Sequence, residues 1–169
     1  GSLQTIAMDA KVQVDFNSDV VSRYRLVGYE NRDVADEDFR DNSVDAGEVG
    51  AGHSVTALYE VKLFSDAYGR VATVHLRWED PDTHEVVEME KDIYTNDFAR
   101  DFHKADPYFQ RAVVVAEYAE ILGDSYWAED SSFDDVYDEV RWLEEYFARE
   151  DDMREFADLV KKADREMGW

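Results

Sequence analysis

The spacing of apolar residues changes from a period of two to a period of about 3.6 near residue 105. Before this point apolar and polar residues alternate, as they do in strands that bury one face. After it apolar residues recur every three or four positions, as they do in amphipathic helices. We therefore predict an α+β fold, in which an N-terminal antiparallel β-sheet or sandwich precedes a C-terminal cluster of about three antiparallel helices.

The β-rich part, residues 11–105, contains about five predicted strands. In the first of them Val12, Val14 and Phe16 alternate with polar residues, which predicts a half-buried strand. The Gly-rich stretch 47–53 is predicted to be a turn that needs positive φ. The last two strands are predicted to form a hairpin around an Asp-Pro-Asp turn. The other four predicted strands cover residues 20–29, 55–63, 71–78 and 85–93.

The helical part, residues 106–169, contains three segments with helical apolar spacing. Asp106 and Pro107 are the predicted N-cap and first residue of the first helix, and Gly123 is its predicted C-cap. Ser132 is the predicted N-cap of the second helix. At about 100° per residue, the strongly polar residues of the first helix fall on one half of its surface. These residues are Gln110, Arg111, Glu117 and Glu120.

Aromatic residues occur along all three predicted helices and are expected to lie in the core. Trp142 lies off the main apolar stripe, so we expect it to contact the sheet or a partner. We also expect the β-rich and helical parts to pack together as one unit. The expected core aromatics are Tyr108, Phe109, Phe133, Tyr137, Phe147 and Phe156.

The segment between the predicted strands, residues 31–52, is rich in acids and is longer than most links inside a domain. Its carboxylates suggest either a solvated acidic loop or a calcium site, because Ca²⁺ prefers several oxygen ligands. The acid spacing does not match an EF-hand loop, which needs Gly at its sixth position and Glu at its twelfth. We therefore favour the solvated loop and keep calcium binding as the alternative.

The chain is strongly acidic, since 41 Asp and Glu against 18 Lys and Arg give a net charge of −23. Such a charge repels nucleic-acid backbones and anionic lipid headgroups, which argues against both as partners. No apolar run reaches the ~20 residues that a membrane-spanning helix needs. The chain has no Cys, so disulfides, thiolate chemistry and Cys-based zinc sites are excluded.

No sequence pattern points to catalysis, a cofactor or a metal. The four His residues form no metal-binding pair and are expected to be structural. The Gly-rich stretch lacks the Lys and the helix start of a phosphate loop. A glycosidase-type pair of carboxylates stays open, because 41 acids bring some carboxylates together by chance. We predict no catalytic, cofactor-binding or metal-binding residue.

Several long stretches resemble one family, the uncharacterised domain that follows the von Willebrand factor type A domain in bacterial envelope proteins. The resemblance is carried by Tyr24–Arg32, Asp38-Phe39 and Asp45–Glu60. Thr5–Asn17 is similar to the family's exit from the type A domain, and Phe109–Ala116 to its helical part. Ser18 stands where the family usually has Pro.

The resemblance implies an envelope or extracellular location and a type A domain upstream in the same polypeptide. Because the sequence does not begin with Met, we expect Gly1-Ser2 to be the remnant of an expression tag. The resemblance implies that the rest of residues 1–10 is the exit from the type A domain. The metal-dependent adhesion motif belongs to the type A domain, so no metal ligand is carried over to this chain. The family has no established enzymatic activity.

We therefore expect a non-catalytic accessory or interaction domain that supports the type A domain, with other envelope proteins as further candidate partners. A calcium-responsive adhesin module is the alternative, and a carbohydrate-active enzyme is a more remote one. The acid-rich segment is the expected contact surface. Its candidate residues are Asn31, Arg32, Asp45, Glu48 and His53.

Overall fold

The computed structural model describes residues 4–28, 39–40 and 47–167, and within them strands precede helices. This order confirms the predicted α+β fold with an N-terminal antiparallel sheet and C-terminal helices. The chain divides into two compact units, Gly1–Phe98 and Ala99–Trp169. The strands are β1 (Thr5–Phe16), β2 (Val21–Leu26), β3 (Gly47–Gly50), β4 (Tyr59–Leu63), β5 (Arg70–Glu79) and β6 (Val86–Tyr94). The helices are α1 (Pro107–Leu122), α2 (Phe133–Leu143) and α3 (Asp151–Met167).

The first unit contains a four-stranded antiparallel sheet in the order β3-β1-β5-β6 and a two-stranded sheet of β2 and β4. β5 and β6 form the predicted hairpin. Its turn is held by the Asp80 carboxylate, which accepts the backbone N–H groups of Asp82 and Thr83 at 2.9 Å each. Such Asx turns explain why Asp is frequent where a chain reverses.

Strand β1 begins earlier than the sequence pattern indicates, at Thr5. A bulge interrupts its pairing with β5, because three steps from Met8 to Lys11 face two steps from Glu79 to Arg77. Asp9 lies inside this bulge with a φ of 48°. The extra residue changes the direction of the strand, as β-bulges do.

The structure corrects two boundaries in the middle of the first unit. Gly47–Gly50 was expected to be part of a turn, but it pairs with β1 as strand β3, and the turn follows at Gly52 with a φ of 80°. The available edge of β1 supplies backbone partners, which outweigh the low strand propensity of Gly. The strand predicted from residue 55 begins only at Tyr59, and Val55 is 89% exposed.

The core of the first unit lies where the two-stranded sheet meets one end of β1 and β5. The Phe16 ring stacks on Tyr24 with 4.0 Å between ring centroids and meets the Tyr59 ring edge-on at 5.4 Å. These contacts hold β1 against both strands of the small sheet. The fully buried members of this core are Val20, Val21 and Val71.

The second unit has a larger core between α1, α2 and α3. Each predicted N-cap is present: the Asp106 carboxylate accepts the N–H of Tyr108 at 2.9 Å, and the Ser132 hydroxyl accepts that of Asp135 at 3.2 Å. Helix α2 ends at Leu143, and Phe147 reaches the core from the turns that follow. The buried residues that form the centre of this core are Val114, Val136, Val140, Leu143, Met153 and Val160.

Helix α1 turns its polar half inward, whereas an amphipathic helix usually turns its polar half toward solvent. Gln110 is only 1% exposed, and its Nε2 donates to the Ala105 carbonyl at 2.8 Å. Glu117 also has a partner inside the unit, since it accepts the Ser131 hydroxyl at 2.7 Å. The polar half thus faces the other helices, and its hydrogen bonds compensate part of the burial. Gln110 Oε1 is buried without a hydrogen-bond partner among the described residues. The expectation that Tyr108 and Phe109 lie in the core is therefore wrong, since both are exposed.

Candidate interaction surface

Two of the five predicted contact residues lie in the described part of the chain. Glu48 is exposed on β3, and His53 is exposed just after the turn that ends this strand. The turn is fixed by the His53 N–H, which donates to the Gly50 carbonyl at 3.0 Å. Both residues therefore lie at the β3 edge of the four-stranded sheet. The other three, Asn31, Arg32 and Asp45, lie outside the described residues.

One face of the four-stranded sheet carries charged residues, which are buried on β1 and β5 and exposed on β6. Lys11, Arg77 and Glu88 are direct neighbours across β1, β5 and β6, and Lys11 is only 4% exposed. The buried Phe39 ring lies 6.2 Å from the His75 ring on this side. Arg40 follows it and donates from Nη2 to Glu88 Oε1 at 2.7 Å. This hydrogen bond and the positive charge of Arg40 lower the pKa of Glu88.

The opposite face of this sheet is apolar and partly exposed around Val12. Val12, Leu76 and Met89 are direct neighbours across the same three strands, and Trp78 pairs with Val87 in the adjoining row. Val12 is 57% exposed, and Val87 and Met89 are exposed as well, whereas Leu76 and Trp78 are half-buried. We call Val12, Leu76, Trp78, Val87 and Met89 the apolar sheet face.

The first strand is half-buried as predicted, and Phe16 lies in the core of the first unit, but the burial of Lys11 and Val12 is the reverse of the expectation. The alternation of Val12 with its polar neighbours suggested that the valine side is covered. Instead Lys11 is buried, and on the same side of the sheet Phe39 contacts His75 and Arg40 contacts Glu88. Periodicity identifies two faces of a strand, whereas the rest of the fold decides which one is buried.

Strand β6 carries three acids at alternate positions on the charged face, Glu88, Glu90 and Asp92. Asp92 accepts the Thr73 hydroxyl at 2.6 Å and lies 3.5 Å from an Arg70 nitrogen. The hydrogen bond from Thr73 and the charge of Arg70 lower the pKa of Asp92. Glu90 lies 3.7 Å from His75 Nδ1. The Glu-x-Glu-x-Asp spacing was a visible signal in the sequence, and the sequence reasoning missed it.

The second unit has a cluster of one histidine, one acid and two aromatics on its surface. His103 Nε2 lies 2.8 Å from Glu139 Oε2, and the His103 ring lies 4.7 Å from the Trp142 ring. Tyr146 continues the cluster at 6.1 Å from Trp142. Trp142 is partly exposed, in agreement with its place off the helix stripe. His103 and Glu139 are separated by 36 positions in the sequence, which explains why no sequence pattern revealed this pair.

Within residues 4–28, 39–40 and 47–167, no group of three or more His, Asp or Glu residues is placed to hold a metal ion. Most acids of the segment 31–52 lie outside those ranges, so calcium binding there stays a prediction. No helix in the described part of the chain has the length and apolar character needed to cross a membrane.

Comparison with known proteins identifies the family. The family model described as "Uncharacterized protein YfbK, C-terminal" matches residues 1–70 and 62–165. The chain belongs to this family. Its resemblance to an uncharacterised domain is thereby confirmed at the level of the YfbK C-terminal family.

One relative is the "Uncharacterized protein YfbK" of Escherichia coli (strain K12), which is 46% identical over 61 residues. This match covers 36% of the chain and 11% of the relative, so most of the relative's length lies outside the matched stretch. No solved structure matches the chain.

Proposed function

We propose that this YfbK C-terminal domain is a non-catalytic accessory domain that supports an adjacent von Willebrand factor type A domain in a bacterial envelope protein. The resemblance of Tyr24–Arg32 and Asp45–Glu60 to the domain that follows a type A domain supports this neighbour. The small share of the E. coli relative that the match covers fits a domain that works within a longer polypeptide.

The observation that carries the proposal is the apolar sheet face. A contiguous apolar patch on a protein this acidic is typical of a surface that another protein covers. Burial of a fully exposed Val or Met side chain contributes about 1.5–3 kcal/mol. Val12, Val87 and Met89 are between 36% and 57% exposed, so covering each of them contributes roughly half of that figure.

The β3 edge is a second place for this contact. Glu48 and His53 lie there, beside the segment that was expected to form the contact surface. They are exposed and polar, which suits the rim of an interface whose centre is apolar. We therefore assign the apolar sheet face to the centre of the contact and the β3 edge to its rim.

A binding measurement between this chain and the purified type A domain of the same polypeptide tests the proposal. We expect Val12→Glu to weaken binding at least about tenfold, because it places a charge in the apolar centre. Val55→Glu is the matched control, since Val55 is exposed and lies outside the strands. Glu48→Lys tests the rim and is expected to have a smaller effect.

Equal binding by the Val12→Glu and Val55→Glu variants, with unchanged circular dichroism, would remove the apolar sheet face from the contact. If the type A domain does not bind the unaltered chain at all, the proposed function fails.

A further inference from the structure

We propose that the outer edge of β6 accepts an extended segment of a partner protein as an additional antiparallel strand, and that this segment alternates basic and apolar side chains. β6 is the outermost strand of the four-stranded sheet, and no strand in the described part of the chain pairs with its outer side. Such an edge presents a row of N–H and C=O groups that another strand can pair with.

The geometry of β6 suits strand addition. The strand has nine residues, and its register against β5 is unbroken from Ile93 to Val86. It contains no Pro, and over this range it has no bulge that would twist its edge away. The opposite edge of the sheet is a poorer template, because β3 has only four residues and its register against β1 shifts twice.

The side chains of β6 define the chemistry of the added strand. Glu88, Glu90 and Asp92 point to one face, while Val87 and Met89 point to the other and belong to the apolar sheet face. Residues directly opposite each other on neighbouring strands share a face and interact. A segment that pairs with β6 therefore places basic side chains opposite the acids and apolar side chains opposite Val87 and Met89.

The three acids of β6 differ in whether their carboxylates already have a hydrogen-bond partner. Glu88 is bound by Arg40, and Asp92 is bound by Thr73. Glu90 lies 3.7 Å from His75 and interacts with the charge of Arg40, but no hydrogen bond is described for it, and its side chain is largely exposed. Glu90 is thus the acid best placed to meet a basic residue of the added strand.

A second copy of this chain is a poor occupant of the same edge. In a two-fold symmetric antiparallel pairing of β6 with β6, Glu90 faces Glu90 or Asp92 of the other copy, and like charges directly opposite each other are unfavourable. The net charge of −23 on each copy adds a general repulsion. The charges on β6 therefore exclude self-pairing and admit a basic strand.

The test uses the complete 169-residue chain and a capped nine-residue peptide of alternating valine and lysine. We expect hydrogen exchange of alternate β6 amides to slow at least about tenfold on binding, because the outward N–H groups become hydrogen-bonded. A peptide of the same composition with proline at two central positions is the control and should give no protection, since it cannot extend the sheet.

Two variants separate strand pairing from general charge attraction. Glu90→Lys should weaken peptide binding about tenfold, and Glu90→Gln by a smaller factor, because each removes the favourable pair at the centre of the strand. Asp82→Lys makes the same change of charge in the β5–β6 turn and should weaken binding much less.

Three results would overturn the inference. The first is peptide binding without protection of β6. The second is equal weakening by Glu90→Lys and Asp82→Lys, which indicates attraction by net charge alone. The third is a dimer in sedimentation that protects β6 and excludes the peptide, which would make a second copy the occupant.

Discussion

Two adjacent residues of β1, Lys11 and Val12, show how strongly the environment of a residue depends on the rest of the fold. The lysine is buried, and the valine is exposed. Only 4% of Lys11 is exposed, so its charged end is covered together with its apolar stem. Val12 lies on the apolar sheet face, where its exposure is explained by the contact that we propose.

Leu143 and Leu159 provide a direct test of the helical core, because they are the same residue type in opposite environments. Leu143 is 0% exposed, whereas Leu159 is 53% exposed. We expect Leu143→Ala to lower the free energy of unfolding by about 2–5 kcal/mol, since it leaves a cavity. Leu159→Ala should change it by less than about 0.5 kcal/mol. Urea denaturation of both variants measures the difference, and equal effects would contradict the described core.

Asp80 provides a test of the β5–β6 turn through its ionisation. Its pKa is lowered because the backbone N–H groups of Thr83 and Asp82 donate to the charged carboxylate. The stability gained from this difference is complete above the pKa of an unfolded Asp, about 3.9, and is lost as the pH falls through the lower folded value.

We therefore expect the Asp80 carboxyl carbon to titrate in NMR spectra at a pH below the usual range for Asp. Asp80→Asn should make the free energy of unfolding less dependent on pH in the acid range. Titration of Asp80 at its ordinary value would contradict the described turn.

Among the elements, α1 departs most from simple amphipathic reasoning. Its polar half was recognised correctly, but that half faces α2 and its neighbours, where Gln110 and Glu117 have hydrogen-bond partners. Its apolar half, with Tyr108, Phe109 and Val115, is exposed. Periodicity assigns residues to halves of a helix, and a polar residue can be buried when a partner satisfies part of its hydrogen-bonding capacity, as Ala105 does for Gln110 Nε2.

The start of α2 tests whether a cap predicted from sequence contributes to stability. Ser132→Ala removes the hydroxyl that accepts the Asp135 N–H, and we expect a loss of about 1 kcal/mol in the free energy of unfolding. Ser132→Thr keeps the hydroxyl, which accepts the Asp135 N–H and donates to the Asp135 carboxylate at 2.6 Å, so it should retain most of the stability. Thermal denaturation of both variants measures the effect. A loss as large for Thr as for Ala would show that the cap is not responsible.

At the scale of the whole molecule, the net charge of −23 dominates. Repulsion among the acids opposes the compact state, and salt screens this repulsion. If the acid-rich segment 31–52 is a solvated loop, stability depends on ionic strength and not on the identity of the cation.

We expect the melting temperature to rise with sodium chloride, and to rise no further when calcium chloride is used at the same ionic strength. Differential scanning calorimetry measures both series. A specific calcium site at 100 times its dissociation constant adds about 2.7 kcal/mol. A calcium-specific gain in stability of that size would contradict the solvated-loop hypothesis and support the calcium-responsive adhesin module.

Local patterns in the sequence determined the fold class, the β5–β6 hairpin and the caps at Asp106 and Ser132. Each of these depends on hydrogen bonds or alternation within a few residues, so a single sequence contains the information. The same holds for the charge balance, which is a property of composition. The predicted contact residues Glu48 and His53 proved exposed, but their role remains a prediction.

Only the tertiary structure decided which faces are covered. It placed Phe39 beside His75 on the charged side of the sheet, left Val12 exposed and turned Gln110 of α1 inward. It also paired Gly47–Gly50 with β1 and left β6 at the outer edge of the sheet. These outcomes depend on contacts between residues far apart in the chain, and periodicity along the chain carries no information about what lies opposite a face.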